Sequence, residues 1–234
     1  MGATRLPGKP LLAETGKPLV VHTLEAARGA RRAKRVVVAT DDERIAAAVR
    51  AAGGEAAMTS PACRSGTDRV AEAARGIPGE DVVLNLQGDE PEIDPADLDA
   101  LAAAMESDPS IEMGTLAAPL GPGEDALPSV VKVVVDARGF ALYFSRAAIP
   151  FRRDPAGPAP ALRHVGVYAY RRAFLERFAK MEETPLERTE VLEQLRALEN
   201  GVRIRVVAAE RAPPGIDTRE DYEAFVRRRR ERKP

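Results

Sequence analysis

Val82-Val83-Leu84-Asn85-Leu86-Gln87-Gly88-Asp89-Glu90-Pro91 is the stretch that decides how the rest of the chain is read. An apolar, β-branched-rich run reads as a strand buried on both faces, and Gly88 lets the backbone turn where the run stops. Two carboxylates, Asp89 and Glu90, then follow the strand's carboxyl end. In open α/β sheets ligands bind outside the carboxyl ends of the strands, so Asp89 stands where a hard divalent cation and a phosphate meet. Taken alone, the same residues also describe an acidic turn that simply closes a strand.

Composition narrows the field. At 234 residues the chain is expected to be a single domain over 1–234, large enough to bury a sizeable core. Lys and Arg (35) balance Asp and Glu (36), and the net charge of −1 gives no reason to expect a nucleic-acid or membrane partner. The basic run Arg227–Lys233 reads as a solvated helix end. The single cysteine, Cys63, excludes an internal disulfide and suits a reducing compartment. No stretch has the apolar length of a membrane span or the core of a signal peptide, so a cytoplasmic location is expected.

Outward from the central stretch, the pattern alternates strand and helix. Arg35–Thr40 is a strand, Asp41-Asp42 caps a helix carrying Ile45 and Val49, and Gly53-Gly54 ends it. Glu55–Thr59 leads as a short strand into Arg64-Ser65-Gly66-Thr67, a helix start whose donors suit an anion, a base edge or a routine cap. Ahead of these, Thr4-Arg5-Leu6-Pro7-Gly8-Lys9 reads as a loop of backbone donors and two cations around polyanionic oxygens, or as a flexible charged terminus. His22, on a helix over Pro18–Ala30, is expected on its exposed or half-buried side.

Downstream, a helix over Pro95–Ser107 is followed by strands at Met113–Ala118, Val130–Val135 and Phe140–Phe144, the last two joined as a hairpin through Asp136–Gly139. Val165–Tyr170 is a strand, and Arg171–Met181 and Glu187–Asn200 are helices, the latter one continuous amphipathic helix. Val202–Ala208 is a half-buried strand, and Asp217 or Thr218 caps the last helix.

In this order, TRLPGKPL (4–11), ATDDERIAAAVRAAGGE (39–55), RSGTDRVAE (64–72), NLQGDEP (85–91), VVKVVVDARGFALYFSRAAIP (130–150), LRHVGVYAYRRAFL (162–175), PLERTEVLEQLRALENG (185–201) and PPGIDTREDYE (213–223) resemble the 3-deoxy-manno-octulosonate cytidylyltransferases, the CMP-KDO synthetases. The resemblance covers nearly the whole chain. It implies an α/β fold of the nucleotide-diphospho-sugar transferase type, a three-layer sandwich with a mostly parallel sheet. It also implies a small antiparallel arm, roughly 119–160, used in homodimerisation. The implied activity joins CTP to the acidic sugar KDO, releasing pyrophosphate with Mg²⁺, for lipopolysaccharide synthesis. Carried over by motif, Arg5 and Lys9 match the triphosphate loop; Arg64, Ser65, Gly66 and Gln87 match the cytosine side; Asp89 and Asp217 match the magnesium carboxylates. Arg153, His164, Tyr168, Glu193 and Gln194 match the sugar side, with Arg146 beside them.

The residue types suit that chemistry. Attack of a sugar hydroxyl on the α-phosphate builds charge on phosphorus oxygens and on departing pyrophosphate, so cations and a metal matter more than a covalent nucleophile. Family members begin with an apolar strand and a Pro-Ala-Arg loop ahead of TRLPGKP, whereas this sequence starts inside that loop. The first strand is therefore expected to be missing here and the natural chain to be longer. Two other functions fit the same sequence, a cytidylyltransferase for another acidic sugar (sialic acid or amino-KDO) and an N-terminally truncated non-catalytic nucleotide-binding subunit.

Overall fold

Strand and helix alternate as the sequence pattern requires. A computed structural model describes residues 6–79, 81–154 and 162–231. Its elements run α1 (Leu19–Arg28), β1 (Val37–Thr40), α2 (Glu43–Ala51), β2 (Glu55–Met58), α3 (Gly66–Arg75), β3 (Val82–Asn85), α4 (Pro95–Ser107) and β4 (Met113–Pro119). They continue with β5 (Lys132–Val135), β6 (Ala141–Ser145), β7 (Leu162–Arg171), α5 (Arg172–Phe178), α6 (Pro185–Glu190), α7 (Gln194–Glu199), β8 (Ile204–Ala208) and α8 (Arg219–Glu231). Two compact units emerge, one from Met1–Gly79, Leu86–Asp99 and Pro213–Pro234, the other from Glu80–Asn85 and Ala100–Ala212.

In the first unit, β1 and β2 pair in parallel, Val37 opposite Glu55 and Thr40 opposite Met58. Asp42 caps α2 by accepting from the Arg44 amide, and Gly53, with φ of 69°, takes the left-handed conformation after the helix. Val20, Val21, Leu24 and Val49 bury the contact between α1 and α2, with Val36, Val38, Ile45 and Ala56 packed against them. A second cluster joins Leu6, Leu19, Ile216, Tyr222, Phe225 and Val226, so segments about 200 residues apart in sequence share one core. His22 corrects its sequence expectation: it is buried on α1, its Nε2 lies 2.7 Å from Thr15 Oγ1, and its ring meets Phe225 edge-on. Burial, with the charges of Lys17 and Arg229, lowers its pKa to about 4.

The second unit holds a mixed sheet in the order β6-β5-β7-β4-β8, with β3 also on β7. β7 runs antiparallel to β3, β4 and β5, while β4 and β8 are parallel. The expected hairpin is β5–β6, turned through Asp136–Gly139, where Asp136 Oδ1 accepts from the amides of Arg138 and Phe140 and Gly139 takes φ of 78°. Tyr170 and Phe174 stack at 6.3 Å and Tyr170 and Phe178 at 6.0 Å, fixing α5 against β7.

The stretch Val82–Pro91 is shorter as a strand than expected. β3 ends at Asn85, and Leu86–Pro91 belongs to the first unit as turn and loop. A larger difference is Glu187–Asn200, expected as one helix and found as α6 and α7, broken at Val191 with φ of 53°. The left-handed conformation costs an L-residue roughly 1–2 kcal/mol, more awkwardly still for a β-branched one, so periodicity gave no warning of it. Among the described residues no helix is long and apolar enough to cross a membrane.

Candidate active site

Lys9 sits in a short 3₁₀ turn, Lys9–Leu11, entered from Gly8 at φ of 68°. Its side chain is buried, and Nζ donates to Asp89 Oδ2 at 2.7 Å and to the Ile216 carbonyl at 2.6 Å. Asp217 Oδ1 lies 3.6 Å from the same nitrogen. Thus the two carboxylates, 128 residues apart by their numbers 217 and 89, converge on one ammonium.

Backbone ties hold each member in place. Thr23 on α1 donates from Oγ1 to the Gly88 carbonyl at 2.9 Å, and the Ile216 amide donates to the Asp89 carbonyl at 3.1 Å. A Cβ at Gly215 would stand 3.2 Å from Glu90 Oε1, so this turn faces the Glu90 side chain. The choice left open between Asp217 and Thr218 is resolved: Thr218 Oγ1 accepts from the Asp221 amide and Asp221 Oδ2 from the Thr218 amide, a reciprocal cap at the start of α8. Asp217 is thereby left with its carboxylate toward Lys9.

On the same unit, Ser65 caps α3 by accepting from the Asp68 amide, and Arg64 Nε donates to Asp68 Oδ2 at 3.3 Å. A Cβ at Gly66 would lie 2.9 Å from Gln87 Oε1, so the helix start meets the carboxamide end of Gln87, which a side chain at 66 would push aside. Arg5 lies outside the described residues.

The residues matched to the sugar fall on the second unit. The β4–β7 register shifts between Thr115 and Leu116, and Thr115 Oγ1 donates to the Val167 carbonyl at 2.8 Å. That hydroxyl has one proton to give, so His164 Nε2, 3.0 Å away, is the donor between them and Nδ1 is the ring's acceptor. Desolvation drops the His164 pKa to about 3, which keeps the ring neutral. Its ring lies between Phe144 at 5.0 Å and Tyr168 at 5.4 Å, and burial pushes the Tyr168 phenol well above its ordinary value of 10.0.

Glu193 and Gln194 enter from the break between α6 and α7, where Gln194 is buried and its Nε2 finds no acceptor among the described residues. Arg153 is exposed, with no hydrogen bond or ion pair among the described residues. Arg146 differs from the others: Nε donates to the Glu190 carbonyl at 2.7 Å, and its terminal nitrogens reach the carbonyls of Pro128 and Val191 at 3.1 and 3.4 Å. Sequence reasoning missed Ser145, Glu190 and Lys132, which surround it and carry no motif signal of their own.

The chain is similar to known cytidylyltransferases in sequence and in fold. A cytidylyltransferase family model matches residues 1–204. A 3-deoxy-manno-octulosonate cytidylyltransferase of Anaeromyxobacter sp. (strain Fw109-5) is 55% identical over 95% of this chain and 90% of its own length. The chain belongs to the 3-deoxy-manno-octulosonate cytidylyltransferase family. The Geobacter sulfurreducens member is 49% identical, over 96% of this chain and 94% of its own. The solved structure of a CMP:2-keto-3-deoxy-manno-octonic acid synthetase complexed with CTP superposes with a TM-score of 0.95 at 43% identity, over 99% of this chain and 95% of that one. A nucleotidyl transferase from Methanothermobacter, 18% identical with a TM-score of 0.61, shares the fold alone.

Proposed function

We propose that the chain transfers the cytidylyl group of CTP to 3-deoxy-D-manno-octulosonate, giving CMP-KDO and pyrophosphate for lipopolysaccharide synthesis. The observation that carries this is the convergence of Asp89 and Asp217 on Lys9 in a chain 55% identical to a cytidylyltransferase of that name. A sugar hydroxyl attacks the α-phosphorus; a phosphorus–oxygen bond forms to the sugar, the bond to the bridging α–β oxygen breaks, and the hydroxyl proton leaves to solvent.

The donor set suits Mg²⁺, a hard cation that takes one or two carboxylates and fills its remaining places with water and phosphate oxygens. Asp89 and Asp217 would hold it, and among the described residues no group of three or more acidic, histidine or cysteine side chains offers a fuller cage. When bound, the ion neutralises triphosphate charge and acidifies a coordinated hydroxyl. Lys9 supplies a cation whose partners are exchangeable, since its carboxylates are partly exposed and phosphate can replace them. Arg5 would add a second cation to the same loop. Gly66 and Gln87, in contact at the start of α3, offer backbone and carboxamide donors and acceptors for a cytosine edge, flanked by Arg64 and Ser65.

For the sugar, neutral His164 accepts through Nδ1, protonated Tyr168 donates, and the unsatisfied Gln194 amide donates beside the acceptor Glu193. Exposed Arg153 suits the sugar carboxylate through two parallel bonds. The proposal includes a cytoplasmic location and a homodimer, the latter supported by exposed Leu142 and Phe151 on the second unit, Phe151 being 88% exposed.

Pyrophosphate release with CTP, KDO and Mg²⁺ tests the proposal. Release that needs both substrates and yields CMP-KDO is expected. CTP turnover indifferent to KDO, or none at all, would contradict it.

A further inference from the structure

The break at Val191 is held open by a closed set of contacts. Glu190, the last residue of α6, accepts from Ser145 Oγ through Oε1 at 2.6 Å and from the Arg146 amide through Oε2 at 2.9 Å. Arg146 returns the bond, with Nε on the Glu190 carbonyl and a terminal nitrogen on that of Val191. Beneath them, fully buried Lys132 donates to the carbonyls of Leu127, Val130 and Arg146. Ser145 and Arg146 therefore grip Glu190 from the end of β6, and Lys132 grips Arg146.

What is gripped is unfavourable by itself. Val191 is β-branched, 71% exposed and at φ of 53°, so neither its side chain nor burial accounts for a conformation that such residues avoid. Strain of this kind persists only where surrounding structure imposes it. Its effect is to end α6 and restart the helix at Gln194, turning Glu193 and Gln194 out of the register that a continuous helix would impose. The Gln194 amide, buried with no acceptor, is the group so delivered.

We infer that Lys132, Ser145, Arg146 and Glu190 form a clamp whose work is to hold the strained turn Glu190–Glu193, and that Arg146 is a positioning residue acting through Glu193 and Gln194. This rests on the sugar-side assignment proposed above. Three of the five N–H groups of Arg146 are spent on carbonyls of this turn and its neighbour, which is what a positioning role requires.

The test uses Arg146→Lys, Glu190→Gln and the double variant Arg146→Lys/Val191→Gly in the full chain. Amide hydrogen exchange is read at Leu192, Glu193 and Gln194, and KM for each substrate is measured where wild-type turnover allows. Either single variant is expected to speed exchange at those amides at least tenfold, and to raise KM for KDO at least tenfold with KM for CTP within twofold. Glycine takes the left-handed conformation without strain, so Val191→Gly should recover at least half of both losses in the Arg146→Lys background. Unchanged exchange, or equal rises in both KM values, or no recovery with glycine would overturn the clamp. Wild-type chain inactive with KDO but showing the exchange pattern would instead refute the sugar assignment and leave the clamp standing.

Discussion

Lys9 and Lys132 are both buried lysines, one in each unit, and they are compensated in different ways. Lys9 faces two carboxylates and one carbonyl; Lys132 faces three carbonyls, and burial lowers its pKa below the ordinary 10.5. Carboxylates on partly exposed turns can be shared with a metal or replaced by phosphate, so the environment of Lys9 is suited to change during a reaction. The backbone carbonyls of Leu127, Val130 and Arg146, just outside β5 and β6, cannot be exchanged, so the environment of Lys132 is suited to staying still. A buried cation is thus a site in one place and a rivet in the other, and the partner type tells them apart.

Substituting each lysine breaks or sharpens that contrast. Lys9→Met is expected to reduce pyrophosphate release by ~10²–10³-fold, the scale of losing one aligned charge on a transition state. Its thermal midpoint should fall only a few degrees, because water reaches both carboxylates. Lys132→Met strands the Val130 and Arg146 carbonyls at roughly 1–3 kcal/mol each, while the Leu127 carbonyl keeps the Val130 amide, so it should cost several kcal/mol and ~10 °C in midpoint. Equal loss of stability in both variants would erase the distinction.

Each unit also carries one histidine with a depressed pKa, His22 at about 4 and His164 at about 3, against an ordinary 6.5. Below pH 6.5 the unfolded chain takes up protons that the folded chain refuses, so stability present above 6.5 is lost as pH falls toward 4 for His22 and toward 3 for His164. Denaturant titrations at stepped pH should show this fall. His22→Gln should flatten the part above pH 4, and an unchanged slope would remove His22 from the account. The smallest effect is expected from Thr218→Ala, which loses a helix cap worth ~1 kcal/mol while Asp217 keeps its place; circular-dichroism melts and pyrophosphate release together check it.

The contrast also marks what the sequence could convey. Strand and helix periodicity placed most elements, and Gly139 and Asp42 announced their turn and cap because each of those residue types has a local conformational reason. Asp89 and Asp217 were legible as candidates through motif resemblance, but their meeting at Lys9 depends on the packing of Leu6, Leu19 and Ile216, which no local pattern encodes. Burial of His22 was missed because a ring with one polar partner and an aromatic neighbour looks, in sequence, like any helix-surface residue. The broken helix was missed for a related reason: Val191 favours neither the left-handed conformation nor a stop, and what bends it sits more than forty residues away on β6.

The most direct test of the central claim, that Asp89 and Asp217 act together, is Mg²⁺-dependent pyrophosphate release from CTP and KDO by Asp89→Asn, Asp217→Asn and the double variant. The account predicts that each single change removes at least ~10² of the rate, that the double loses little more, and that all three melt near the wild type. Near-normal release by either single variant, or losses that multiply as for independent sites, would contradict it.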